Sequence, residues 1–209
     1  MQTPPYPAGG KCSSGSRCPP YGCPTESCYG ARTVTVTATS TVTVHSRPTS
    51  SSVCASPSET VTLRRIWNPV WQDHFYTTDS REAAYSGSHS EITEEASPGS
   101  IFLTQVAGTV PLWRCYWSTD GKYDHFYTAD KTEFQSAQLR GCTEYPDRAS
   151  VGYLYPTGRC GTIALYRLFN HQQKDHLYTS DLAERNDLLG SGTYEDEGVT
   201  GYILPHTTI

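Results

Sequence analysis

Three short stretches carry the residue types that do chemistry. Asp73-His74-Phe75-Tyr76-Thr77 returns as Asp124-His125-Phe126-Tyr127-Thr128 and again as Asp175-His176-Leu177-Tyr178-Thr179, at a constant interval of 51 residues. An Asp next to a His suggests a general base held by a carboxylate, and three His at matched positions suggest a metal site. The same pattern argues against both. Neighbouring residues on a strand point to opposite faces, so Asp73 does not orient His74, nor Asp124 His125, nor Asp175 His176. A hydrolase needs one asymmetric cluster of nucleophile, base and oxyanion donors, whereas these residues occur three times. No enzymatic activity and no catalytic residue is expected. Gathering His74, His125 and His176 around one ion would require closure about an axis. The expectation is instead that each His is hydrogen-bonded within its own copy, with no metal and no cofactor.

A different chemistry suits these residues better. An Asp that accepts from sugar hydroxyls, beside an aromatic ring that stacks on the sugar's apolar face, makes a site for a polar ligand with a hydrophobic body. The candidate ligand-binding residues are Asp73, His74, Tyr76, Asp124, His125, Tyr127, Asp175, His176 and Tyr178, with Trp67 and Tyr116 from the preceding strands. A structural role competes for the Asp residues. Arg65, Arg114 and Arg167 recur on a face with apolar neighbours, and a half-buried guanidinium needs a carboxylate or carbonyl partner. Asp73, Asp124 and Asp175 are the expected partners across a hairpin.

The elements that position these residues also repeat. Leu63-Arg64-Arg65-Ile66-Trp67, Leu112-Trp113-Arg114-Cys115-Tyr116 and Leu165-Tyr166-Arg167-Leu168-Phe169 read as strands. Short turns at Asn68-Pro69, Asp120-Gly121 and Asn170-His171 lead into the Asp-His strands, which predicts three hairpins. Next come Asp79-Ser80-Arg81-Glu82, Asp130-Lys131-Thr132-Glu133 and Asp181-Leu182-Ala183-Glu184, a reciprocal capping pattern that starts a short helix. Gly87, Gly141 and Gly190 are placed to end those helices. Each copy then closes on an extended stretch, within Gly99–Leu103, Ser150–Tyr155 and Val199–Leu204. A fixed period marks a repeat architecture, and three like copies without atypical caps favour closure. The expected fold is all-β with short helical insertions, a pseudo-threefold domain resembling a β-trefoil. A three-bladed propeller-like arrangement stays open.

Composition sets the context. The chain of 209 residues has 15 Tyr, 4 Trp and a single Met, a balance that favours β structure over helical bundles. A net charge of −5 without any basic run argues against nucleic acid as a partner. No stretch approaches the roughly 20 apolar residues of a membrane span. Eight cysteines, four of them between Cys12 and Cys28, suggest an oxidising compartment, although Met1-Gln2-Thr3-Pro4-Pro5 has no signal-peptide character. An extracellular, monomeric protein is expected. Residues 1–32 read as a Cys-, Pro- and Gly-rich disulfide segment, with zinc as the less favoured use of its cysteines. Residues 33–60 read as a Ser/Thr-rich linker, and residues 61–209 as the repeat domain, with copies at about 61–109, 110–161 and 162–209. Cys115 takes the core slot of Ile66 and Leu168. Two of Cys115, Cys142 and Cys160 should therefore be bridged, with the third joined to Cys54 and the N-terminal four paired among themselves.

The copies resemble an uncharacterised repeat of secreted bacterial and fungal proteins. Its marks are a strand of the Tyr-Arg-Phe-Tyr kind, then Asp-His-Phe-Tyr-Thr, a Glu-containing helix start and a closing Gly-Tyr-aliphatic strand. The resemblance covers about residues 61–205, with Leu177 in place of Phe and Ser100 in place of the closing Tyr. It implies no established activity. That some members accompany hydrolase or cell-wall-associated domains implies surface or polysaccharide binding. The functional expectation is a secreted, non-enzymatic, lectin-like module whose weak equivalent sites act together on a polysaccharide or glycan. The alternative is a structural or protein-interaction module, of a secreted effector or wall protein, with no sugar site.

Overall fold

In the computed structural model of the chain, residues 54–86, 92–145 and 148–206 are described. The N-terminal disulfide segment and residues 33–53 of the Ser/Thr-rich linker lie outside them. A single 3-10 turn at Pro57–Glu59, capped by Ser56, leads into the first strand.

The described residues are mostly β-strand, in two antiparallel sheets, with three short α-helices. The first copy contains β1 (Thr60–Asn68), β2 (Asp73–Thr77), α1 (Ser80–Ser86) and β3 (Thr93–Phe102). The second contains β4 (Val110–Thr119), β5 (Lys122–Thr128), α2 (Lys131–Leu139), β6 (Thr143–Glu144) and β7 (Ser150–Leu154). The third contains β8 (Ile163–Asn170), β9 (Asp175–Thr179), α3 (Leu182–Gly190) and β10 (Tyr194–Ile203). In each copy the opening strand is central, with the Asp-His strand on one side and the closing strand on the other. The predicted hairpins are thus present. One sheet runs β2-β1-β3-β7-β4-β5 with β6 beside β4, and the other β10-β8-β9.

The closing strands also meet each other. Phe102 pairs with Tyr153, Tyr155 bridges Tyr202, and Ser100 bridges Leu204. Close approach here requires glycine: a Cβ on Gly152, whose φ is +153°, would lie 2.7 Å from the Phe102 carbonyl oxygen. One core cluster draws on all three copies, with Leu63, Leu112 and Leu165, then Tyr76, Tyr127 and Tyr178, then Ile101, Leu154 and Ile203. Each of these side chains alone covers little, but together they exclude water from the space where the Asp-His strands converge.

Two details of the helices depart from expectation. Asp130 and Asp181 do cap α2 and α3, but Glu133 does not reach back to its cap. It accepts from Thr128 and Arg167, because a buried guanidinium is a better partner than an exposed amide. Gly141 has the left-handed φ of +88° that ends α2, whereas Gly190 is the last residue of α3 and Gly192, at φ +74°, takes that conformation. Gly87 falls outside the described residues.

Candidate functional site

The Asp-His-Tyr side chains form closed circuits that join the copies. The Asp73 carboxylate accepts from the amide and Nδ1 of His125, at 2.8 and 2.6 Å. Asp124 serves His176 in the same way, at 3.0 and 2.8 Å, and Asp175 returns to His74, at 2.7 and 2.6 Å. The expectation that each His is held within its own copy is therefore wrong. A His leaves the strand on the face that meets the neighbouring copy, while its own Asp leaves on the other.

The tyrosines make a second circuit. The Tyr127 hydroxyl donates to the Tyr76 carbonyl and accepts from the Tyr76 amide; Tyr178 does this for Tyr127, and Tyr76 for Tyr178. Their rings pack edge to face, with centroids 5.3 to 5.5 Å apart. Burial pushes all three phenols well above their ordinary pKa.

The arginines close a third circuit, and here too the expected pairing is corrected. Their partners are helix-start glutamates of another copy: Arg65 with Glu184, Arg114 with Glu82, and Arg167 with Glu133. Closing-strand glutamates add to this, as Arg65 also meets Glu95 and Arg167 meets Glu197. In the second copy Tyr145 stands at that place, with its ring 3.8 Å from the Arg114 guanidinium and its hydroxyl 2.6 Å from His125 Nε2. The aspartates are not the arginine partners because both oxygens of each are taken by His groups.

All nine Asp, His and Tyr candidates are buried. Burial opposes protonation of His74, but its bonds to Asp175 and Glu95 outweigh this and raise it to about 9. His176, between Asp124 and Glu197, rises to about 9 for the same reason. An oxygen of each of Asp73, Asp124 and Asp175 lies within 4.8 Å of the others. That geometry could hold a cation, yet these carboxylates already accept hydrogen bonds from the His amides and rings. Of the two aromatic candidates, Trp67 covers His74 at 4.6 Å between centroids, and Tyr116 packs against Tyr123, His125 and Tyr145.

An open site lies elsewhere, where the repetition breaks. Between the hairpins of the second and third copies is a cavity of about 780 Å³. Its walls include Trp117, Tyr123, Phe126 and Phe169, and its floor includes Asp124, Arg167 and His176. Asp124 and His176 are the sequence-predicted candidates that border it. Asp73 and Asp175 have no exposure, whereas Asp124 retains 8%. Burial pushes the Asp124 carboxyl up, against the pull of His176.

Trp117 was missed by reading the repeats for what they share. In the other copies its place is held by Asn68 and Asn170, whose side chains accept amides of the turn that follows. The second hairpin instead extends by two further residue pairs to a tight turn at Asp120-Gly121, both with positive φ, so no turn-capping Asn is needed. Trp117 is fixed by its indole N–H, which donates to the Arg140 carbonyl at 3.1 Å, just beyond α2. The Cys115–Cys142 disulfide ties the same strand to the same helix end, and Cys54–Cys160 is the second bridge among the described residues. Both pairs agree with the sequence expectation. At the boundary of the first and second copies Trp71 packs on Tyr123, and Lys122 donates to Gln72, so those hairpin tips touch.

Residues 62–204, more than half of the chain, match the profile of a family described as a domain of unknown function, DUF5648. The chain belongs to the DUF5648 family. No curated protein and no solved structure matches it. The match begins within β1 and ends just after β10, so the DUF5648 domain comprises all three copies and every circuit described above. Among the described residues of this DUF5648 chain, no helix is long and apolar enough to cross a membrane.

Proposed function

We propose that this chain is a secreted, non-enzymatic carbohydrate-binding module for a cell-wall or surface polysaccharide. In this reading its three copies close around a pseudo-threefold axis, in a trefoil-like manner, and its glycan site is the cavity between the second and third hairpins. The observation that carries the reading is the asymmetry of that cavity. Residues shared by the copies are used up in the buried circuits, while Trp117, whose place the other copies fill with Asn, lines the cavity together with Phe169. The volume falls in the range of small-ligand sites, about 300 to 1,000 Å³. Aromatic walls with a polar floor suit the two-sided character of a sugar ring. One site replaces the several equivalent sites expected from the repeats, so the module binds monovalently.

A glycan array with the wild-type chain and Trp117→Ala tests this. Retention on at least one glycan, lost in Trp117→Ala while that variant still melts cooperatively, is the expected result. Wild-type protein that folds but binds no cell-wall or surface glycan overturns it.

Burial of all nine Asp, His and Tyr candidates favours a second reading, in which the motif only builds the fold and the domain is a structural or protein-interaction module of a secreted effector or wall protein. On that reading Trp117→Ala leaves every binding property intact.

A further inference from the structure

We propose that the ligand of this cavity is an acidic saccharide: a uronic-acid oligosaccharide whose rings lie against Trp117 and Phe169 while a carboxylate reaches Lys174 or Arg140 at the mouth. The inference rests on the glycan reading above and names the substrate class.

Satisfied charges and free charges occupy different parts of the cavity. On the floor, Arg167 is bonded to Glu133 and paired with Glu197, and His176 lies between Asp124 and Glu197. Three carboxylates share two cations there, so the floor is mildly acidic, but every one of those carboxylates already has a cation beside it. The mouth differs. Lys122, Arg140 and Lys174 border it against a single acid, Asp120, and all four are exposed. Lys122 donates to Gln72, but among the described residues neither the Arg140 nor the Lys174 side chain has a hydrogen-bond or ion-pair partner. The groups left to meet a ligand are therefore cationic. This excess is local, since the whole chain carries −5.

Both cations start from fixed backbone. Lys174 adopts a left-handed φ of +58° at the end of the third hairpin turn, and its amide donates to the Asn170 carbonyl at 2.7 Å. Arg140 caps α2, and its carbonyl holds the Trp117 indole. A ligand that stacks on Trp117 thus lies beside one of these cations, and a sugar that bears a carboxylate uses the ring face and the charge together.

The test uses pairs of uronic-acid oligosaccharides and their carboxyl-reduced neutral forms, titrated into the full chain and followed by tryptophan fluorescence at low and high salt. The acidic form is expected to bind about tenfold tighter or better than its neutral twin, as a charge-assisted hydrogen bond implies. High salt and the double variant Arg140→Gln, Lys174→Gln are expected to erase that difference while affinity for the neutral form persists. Equal binding of both forms, or tighter neutral binding, overturns the acidic assignment and leaves the glycan reading standing. Binding of neither form by folded wild-type chain overturns the acidic assignment, and the glycan reading falls with it only when the glycan array is empty as well. Should the double variant fail to fold, the single charge reversal Lys174→Glu gives the same comparison at one exposed position.

Discussion

Each hydroxyl of the tyrosine trio does the work of a missing strand. It donates to the carbonyl and accepts from the amide of another tyrosine, so three converging strands satisfy their central backbone groups without lying side by side. Tyr127→Phe is expected to leave the Tyr76 amide and carbonyl buried and unpaired, which costs roughly 2 to 5 kcal/mol for the two groups. Urea unfolding measures this, and a loss below about 1 kcal/mol would contradict the role assigned to the hydroxyl. The imidazoles impose a pH dependence. His74 and His176 titrate near 9 in the folded chain and near 6.5 when unfolded. Raised values mean that their stabilisation is complete below about pH 6.5 and is lost as pH rises through about 9. The melting temperature should fall between pH 7 and 10, and His176→Gln should flatten that fall; an unchanged slope counts against the linkage. The special status of Asp, His and Tyr was legible in the sequence, because they recur. Their partners were not, since Asp175 and His74 are 101 residues apart and nothing in a spacing reports that distance in space.

Strands and helices were the more readable scale. Hairpins, helix starts and closing strands follow from alternation, turn residues and caps, all local properties. Even so, the second copy hid its difference: two further residue pairs in the β4–β5 hairpin and Trp117 in place of Asn read as ordinary variation until the cavity beside them was visible. The Cys115–Cys142 bridge belongs to this scale, because it clamps β4 to the end of α2 on either side of the Trp117–Arg140 bond. Cys115→Val with Cys142→Ala is expected to destabilise by about 2 to 4 kcal/mol. Beyond that, tryptophan emission should move to longer wavelength in the folded state as the indole loses its fixed seat; an unshifted spectrum would mean that the hydrogen bond alone positions it. Gly152→Ala tests the closing strands, since its Cβ would lie 2.7 Å from backbone oxygen and 2.7 Å from Ile101. A loss of several kcal/mol by thermal or urea unfolding is expected there.

At the scale of the whole domain, stability is shared by all three copies. Asp175, Tyr178 and Glu184 of the third copy satisfy His74, Tyr76 and Arg65 of the first, and Cys54–Cys160 joins the segment just before the first copy to the turn before the third. A fragment of residues 54–161 is expected to show no cooperative thermal transition, because it keeps buried groups whose partners are gone. A sharp two-state melt of that fragment would overturn this. The same sharing has a consequence in time. Synthesis delivers the first copy long before Asp175, Tyr178 and Glu184 exist, so its core polar groups wait in water for partners made last. Contacts that span about a hundred residues form slowly, because a long loop must close before they return any free energy. The nascent domain therefore stays open until its third copy emerges, and it is vulnerable to proteolysis or to pairing with another chain while the 101 residues between His74 and Asp175 are added.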